Sequence, residues 1–235
     1  MNVIEVRDLH KIYDAGPIRT HVLRGLNFSV RKGEFVAIMG KSGAGKSTLL
    51  HQLSFLDAPT RGIIQYEGRD TTSYSKKESS LFRLFTLGYI FQDYALLPEL
   101  DALENVLLPL LMRGMDWQAA RAIAVRALDS VGLSGKYANV PAQLSGGEQQ
   151  RVSVARAIAG KPKIIFADEP TANLDSVSGQ VIIDLLAELH RDGQTIVLVT
   201  HEAEYARDCD RIVFLEDGCI VHEETRIQQA ENLSI

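Results

Sequence analysis

The residues Gly40-Lys41-Ser42-Gly43-Ala44-Gly45-Lys46-Ser47 fit the spacing G-x-x-x-x-G-K-[ST], and Thr48 follows directly. A loop that wraps a polyphosphate points its backbone N–H groups inward. That calls for glycine wherever a Cβ would block close approach, here Gly40, Gly43 and Gly45. Lys46 has the reach and charge for the β- and γ-phosphates, and the Ser47 hydroxyl is suited to ligate Mg²⁺. Such chemistry needs a buried strand before the loop and a helix after it, whose N-terminal partial charge faces the phosphates. Both are legible: Phe35-Val36-Ala37-Ile38-Met39 is a continuous apolar run, and Leu49, Leu50, Leu53 and Leu56 share one helical face. The pattern points to a nucleoside triphosphate.

A second candidate is the acidic pair Asp168-Glu169, which ends the apolar run Ile164-Ile165-Phe166-Ala167. A buried strand that finishes in two carboxylates sets them at the carboxyl edge of a sheet, where open α/β sheets bind ligands. Asp168 can hold Mg²⁺, directly or through its water shell, and Glu169 can act as general base toward an attacking water. A third candidate is Leu144-Ser145-Gly146-Gly147-Glu148. Ser145 and Glu148 have the spacing of a capping box, so a helix begins there. Two glycines just inside a helix each cost about 1 kcal/mol relative to alanine. We read them as bare backbone kept for a ligand such as a γ-phosphate.

The elements that must position these groups alternate in type. Val3 to Val6 reads as a short strand, a Gly16-Pro17 turn follows, and Leu26, Phe28 and Val30 mark a second alternating run. Gly62 to Gly68 reads as a small hairpin arm. From Glu99 to about Val140 the pattern is helical, which suggests a lobe inserted in an α/β core. Strand–helix alternation then resumes: Ile164 to Ala167, a helix over Gly179 to His190, a strand over Thr195 to Thr200, and a hairpin from Arg211 to His222 around Asp217-Gly218. The expected fold class is α/β, with a mainly parallel sheet, a small antiparallel arm and the helical lobe. The expected organisation is one domain over 1–235, with a core of 1–92 and 160–235 and a lobe of 93–159 that ends in the Ser145 helix.

Composition narrows the functional classes. The formal net charge is −5 and no basic block suggests a nucleic-acid partner. No signal-peptide pattern opens the chain, and the run Val106 to Met112 is far short of the ~20 residues a membrane helix needs. A soluble chain is therefore expected, one unable to form a transmembrane pathway alone. Cys209 and Cys219 are too few for a disulfide framework and lack metal-ligand spacing.

Taken together, the phosphate loop, the acidic pair and Leu144–Glu148 with its helix QQRVSVARAIA resemble the ABC family of ATPases over about residues 3 to 225. The resemblance implies further roles. Tyr13 is similar to the aromatic that stacks on adenine, and Gln92 to the glutamine that touches Mg²⁺ and the attacking water. Asn173-Leu174-Asp175 resembles the loop that crosses to the opposite subunit, and His201 the histidine that contacts the γ-phosphate. The remaining five histidines have no such context. The resemblance implies ATP and Mg²⁺ as cofactors and a second copy of the chain as partner. Two ATP would be held head to tail, each between one P-loop and the other subunit's Ser145-Gly146-Gly147-Glu148. It also implies an integral-membrane permease and a cytoplasmic position on the inner face of the membrane.

LDAPTRG (56–62), LGYIFQDYALLPELDALENVLLPLLMRG (87–114) and DEPTANLDSVSG (168–179) are similar to the macrolide-exporter and lipoprotein-release subgroup, which transmits mechanical motion to its permease. Tyr94 to Pro98 is where that permease would dock. Two departures occur: Lys41 where many relatives carry Pro or another neutral residue, and Ala172-Asn173 where many have Ser-Ala. Importers of polar amino acids share part of the pattern, and a cell-division or signalling complex would use the same motor. A GTPase is disfavoured because no N-K-x-D occurs, and a soluble non-transport ABC protein because there is one copy of each motif and no coiled-coil insertion.

Overall fold

The structure is a computed structural model that describes residues 1–16 and 18–225; Pro17 of the expected turn lies outside the described residues. In chain order it has β1 (Asn2–Ala15), β2 (Ile18–Arg31), β3 (Phe35–Met39), α1 (Lys46–Leu53), β4 (Arg61–Tyr66), β5 (Arg69–Asp70) and α2 (Lys76–Thr86). Next come β6 (Leu87–Ile90), α3 (Ala102–Met112), α4 (Trp117–Ser130), a 3₁₀ turn (Pro141–Gln143), α5 (Gly146–Ala159), β7 (Ile164–Asp168) and α6 (Ser176–Arg191). β8 (Thr195–Val199), β9 (Arg211–Glu216) and β10 (Cys219–Thr225) complete the described chain. Two compact units share these elements: Met1–Ser80 with His190–Ile235, and Leu81–Leu189.

The first unit is built on β3, all of whose residues are buried. β3 lies parallel to β8 and to β9, with Ile38 opposite Val199 on one side and Val213 on the other. β10 runs antiparallel to β9. The unbroken apolar character of β3 and β8 is what strands covered on both faces require.

A separate antiparallel sheet has the order β2-β1-β4-β5. The arm expected at Gly62 to Gly68 is therefore only the edge of a four-stranded sheet, whose bulk is the pair of 14-residue strands β1 and β2. The alternation hid it for two reasons. Arg7, Asp8, Lys11 and Asp14 interrupt the apolar pattern, and the irregularity between Val6 and Leu9, three steps on β1 against two on β2, exchanges the two faces of β1.

One buried ion pair ties this unit together. Arg211, at the start of β9, donates to Glu34 at 2.8 Å, to Glu223 on β10 at 2.9 Å and to the Ser29 carbonyl of β2. Burial alone would raise the Glu34 carboxyl. The hydrogen bonds from Arg211 and the Arg31 N–H, with the charges behind them, outweigh burial and hold it below the ordinary glutamate range.

In the second unit β6 and β7 are parallel, with Leu87 opposite Ile164 and Ile90 opposite Ala167. The helices α3, α4 and α5 bury Val106, Leu107 and Leu110, then Ala120, Ala124 and Leu128, then Val152, Val154 and Ala155. α3 opens on an Asp101/Glu104 capping box and runs through Pro109 to Met112. Asn105, 2% exposed, fixes the segment before it: its Oδ1 accepts from the Leu97 N–H, and its Nδ2 donates to the carbonyls of Leu97, Leu100 and Asp101. The stretch 93–159 lies within this unit, together with β6, β7 and most of α6. No residue of α2 is buried, so no core specifies that helix, and the sequence reading passed over it. Among the described residues no helix is long and apolar enough to cross a membrane.

Candidate functional site

In the first unit β3 delivers Gly40 to its carboxyl end, and the loop turns into α1 at Lys46. Gly40, Gly43 and Gly45 have φ of 154, 81 and 102°. A Cβ on Gly40 would lie 2.2 Å from the Leu215 carbonyl oxygen of β9, so no side chain fits there. At Gly43 the corresponding space is open. Lys46 is 6% exposed, and its Nζ donates to the carbonyls of Gly40 at 2.9 Å and Lys41 at 3.2 Å. The lysine is thus folded over its own loop. Lys41 and Ser42 are exposed and Ala44 is buried; the Ala44 carbonyl accepts from the Gly218 N–H at 3.0 Å. Ser47 and Thr48 are half-buried in the first turn of α1.

Two strands bring other expected groups to this loop's unit. On β1, Tyr13 is 41% exposed and donates its hydroxyl proton to Asp57 at 2.7 Å. Lys11 stands 4.7 Å from the centroid of that ring and donates to Asp57 at 2.8 Å and to the Ala58 carbonyl at 2.7 Å. Burial, reinforced by Asp57, raises the Tyr13 hydroxyl, whose other hydrogen-bond partner is Thr48. The ring is thereby fixed beside the first turn of α1, with a cation against it. Just beyond β8, the Thr200 N–H bonds to the Ile38 carbonyl at 3.2 Å, so the exposed His201 follows at the same edge to which β3 brings Gly40.

In the second unit the parallel register of β6 and β7 carries Phe91-Gln92 and Asp168-Glu169 past the same strand ends. Tyr89 donates to Asp168 at 3.3 Å. Burial, with the Asp168 charge added, pushes the Tyr89 phenol well above its ordinary range, so it stays a donor to that carboxylate. Glu169 has φ 43°, a left-handed conformation that costs a non-glycine residue and that its surroundings must enforce. Gln92 is exposed, and its carbonyl accepts from Asn173 Nδ2 at 3.0 Å. Tyr94 and Ala95 are also left-handed, with φ 64 and 46°, and Arg156 of α5 donates to both of their carbonyls. Those bonds offset strain that would otherwise release the loop.

α5 opens on a reciprocal cap. Ser145 Oγ accepts from the Glu148 N–H at 3.2 Å, and Glu148 accepts from the Ser145 N–H at 2.8 Å. That backbone bond first, and Lys136 at 3.2 Å second, hold the Glu148 carboxyl below its usual range. The paired glycines have a neighbour as well as a candidate ligand. A Cβ on Gly147 would meet the Ser178 side chain at 3.0 Å, and one on Gly146 would meet the Tyr94 hydroxyl at 2.9 Å. The tyrosine hydroxyl is the end of a side chain that can swing aside, whereas Gly147 is packed tightly on Ser178, so close packing gives a second reason for a small residue at Gly147 beside the ligand expected from the sequence. Ser178 is in turn bonded to Asp175, whose carboxylate accepts from the Ser178 N–H at 2.9 Å and from its hydroxyl at 2.8 Å. Asp175 thus caps the first turn of α6.

The sequence reading missed Lys11, Asp57, Tyr89 and Gln150. A signal existed for Lys11, which shares a strand face with Tyr13 at i, i+2. The others depend on partners far away in the chain.

Residues 23–172 match the ABC transporter family model. The lipoprotein-releasing system ATP-binding protein LolD of Aquifex aeolicus is 47% identical over 88% of this chain and 92% of its own length. A macrolide export ATP-binding/permease protein MacB, from Chlorobium luteolum, is 44% identical over 95% of this chain, which spans only 34% of that longer protein. A solved ATP-binding cassette, dimeric in a post-hydrolysis state with ADP and Pi, superposes with TM-score 0.89 at 41% identity, covering 95% of this chain and 98% of that one. With its phosphate loop, its strand-end carboxylates and its capped glycine helix, the chain belongs to the ABC transporter family, as an ATP-hydrolysing ATP-binding subunit.

Proposed function

We propose that two copies of this chain close head to tail around two ATP molecules and drive a separate membrane permease of the macrolide-exporter or lipoprotein-release kind. The observation that carries this reading is that each chain has one phosphate loop, Gly40 to Thr48, and one capped helix start, Ser145 to Glu148, in different compact units. A two-fold pairing lets each nucleotide use the loop of one copy and the helix start of the other. The donor set suits a magnesium nucleotide: Ser47, Asp168 and Gln92 offer hard oxygen ligands, and loop N–H groups with Lys46 match phosphate oxygens. When bound, Mg²⁺ neutralises charge that develops on the phosphates.

In this reading Glu169 takes the proton from an attacking water, Gln92 orients that water, and His201 holds the γ-phosphate. Tyr13 carries the adenine, and Asp175 lies in the loop that meets the second copy. The permease docks at Tyr94 to Pro98, in which Leu97 is 44% exposed, and keeps the subunit on the cytoplasmic face of the membrane.

Glu169→Gln keeps the side chain's shape and removes the base. The variant should bind Mg-ATP and pass from monomer to dimer in size-exclusion chromatography with light scattering, with turnover lost. A variant that binds ATP and stays monomeric at all concentrations would sink the pairing for the isolated subunit.

A further inference from the structure

We propose that Gln150 of α5 is a positioning residue that sets Gln92 and Glu169 relative to each other; this rests on the hydrolytic roles given above to those two residues. Gln150 is fully buried. Its Nε2 donates to the Pro170 carbonyl at 2.8 Å and to the Phe91 carbonyl at 3.2 Å. Pro170 directly follows Glu169, and Phe91 directly precedes Gln92. One amide nitrogen therefore holds the two segments at the point where the β6–β7 ladder has ended, since its last paired residues are Ile90 and Ala167.

The chemistry of the side chain is matched to that task. Two carbonyls side by side need two N–H donors from one planar group, and a primary amide supplies them. Leucine or methionine would leave both carbonyls bare, and glutamate would oppose them with a charge. The other end of the amide argues against a merely structural glutamine: its buried Oε1 has no hydrogen-bond partner. A buried acceptor left unmade is a cost. The residue is kept for what its nitrogen does. Glu169 is also held at a left-handed φ directly before a proline, a conformation that persists only when neighbours over-determine it. The bond at Pro170 is one such restraint.

Gln150 lies one turn beyond Gly146, so it shares a rigid helix with the residues proposed to meet the second copy's nucleotide. A movement of that helix start reaches both halves of the hydrolytic pair through a single side chain.

The test uses the full chain. Gln150→Leu should lower kcat for Mg-ATP by about 10- to 100-fold, the loss expected when reacting groups shift by about 1 Å, while KM and the Kd for a fluorescent ATP analogue stay within about threefold of wild type. Combining Gln150→Leu with Glu169→Gln should add almost no further loss, because both act on one step. Val154→Ala, buried on the same helix, is the control for destabilisation; it should lower Tm and leave kcat near wild type below its melting range. Gln150→Glu covers the case of a poorly folded leucine variant and should also lose kcat. A wild-type kcat in a folded Gln150→Leu or Gln150→Glu protein would overturn the proposal while leaving Glu169 untouched. Full turnover in Glu169→Gln would instead overturn the hydrolytic reading itself.

Discussion

Tyr13 and Lys46 are both held by groups that ordinary motif spacing does not include. The Lys46 ammonium is bonded to two carbonyls of its own loop, so its position belongs to the loop's fold as much as to any phosphate. Tyr13 is oriented by Asp57 and flanked by Lys11. Tyr13→Phe keeps the ring and loses the hydroxyl bond, so KM for ATP should rise roughly 3- to 10-fold with kcat unchanged in steady-state assays. Tyr13→Ala should cost more, about 10- to 100-fold in KM, through lost stacking. Residues within one contiguous pattern, such as Gly40 to Ser47 and Asp168-Glu169, were legible because motif and element boundary coincide. Lys11 with Asp57 was not legible, since 46 positions separate the partners. Gly146 and Gly147 were read correctly as unusual, but their packing against Tyr94 and Ser178 is set by segments that only folding brings near.

Elements with a single buried face or a continuous apolar run followed the sequence closely. β3 and β8 fall where the apolar runs put them, and α4 shows its alanine and leucine stripe. β1 did not follow, because bulges break the period of two on which such reading depends. α3 shows a third case. Its start is set by Asp101 and Glu104, and the preceding loop by the one side chain of Asn105. Asn105→Leu has similar volume and removes four part-buried hydrogen bonds made by a buried side chain. It should destabilise the protein by about 2–4 kcal/mol, measured as the shift in urea midpoint at unchanged m-value.

For the molecule as a whole, stability against acid should depend on Glu34. Its folded pKa lies below its unfolded value, which is near 4.5. Its contribution is therefore fully present above pH 4.5 and is lost as pH falls through the lower folded value. Glu34→Gln leaves Arg211 buried with one counter-charge fewer and should cost about 3–5 kcal/mol at pH 7. The gap between variant and wild type should narrow as unfolding is measured at successively lower pH below 4.5. A gap that stays constant with pH would mean that packing, not charge, is what the variant removes.

The hairpin of β9 and β10 has one more consequence. Cys209 is fully buried, whereas Cys219 is half-buried, directly after Gly218, whose N–H bonds to Ala44 in the phosphate loop. The two thiols thus differ in reach to a reagent, and the reachable one is a single peptide bond from the strand turn that supports the loop. The sequence therefore already carries an attachment point for a fluorophore or spin label beside the turn that supports the phosphate loop, with no cysteine added or removed.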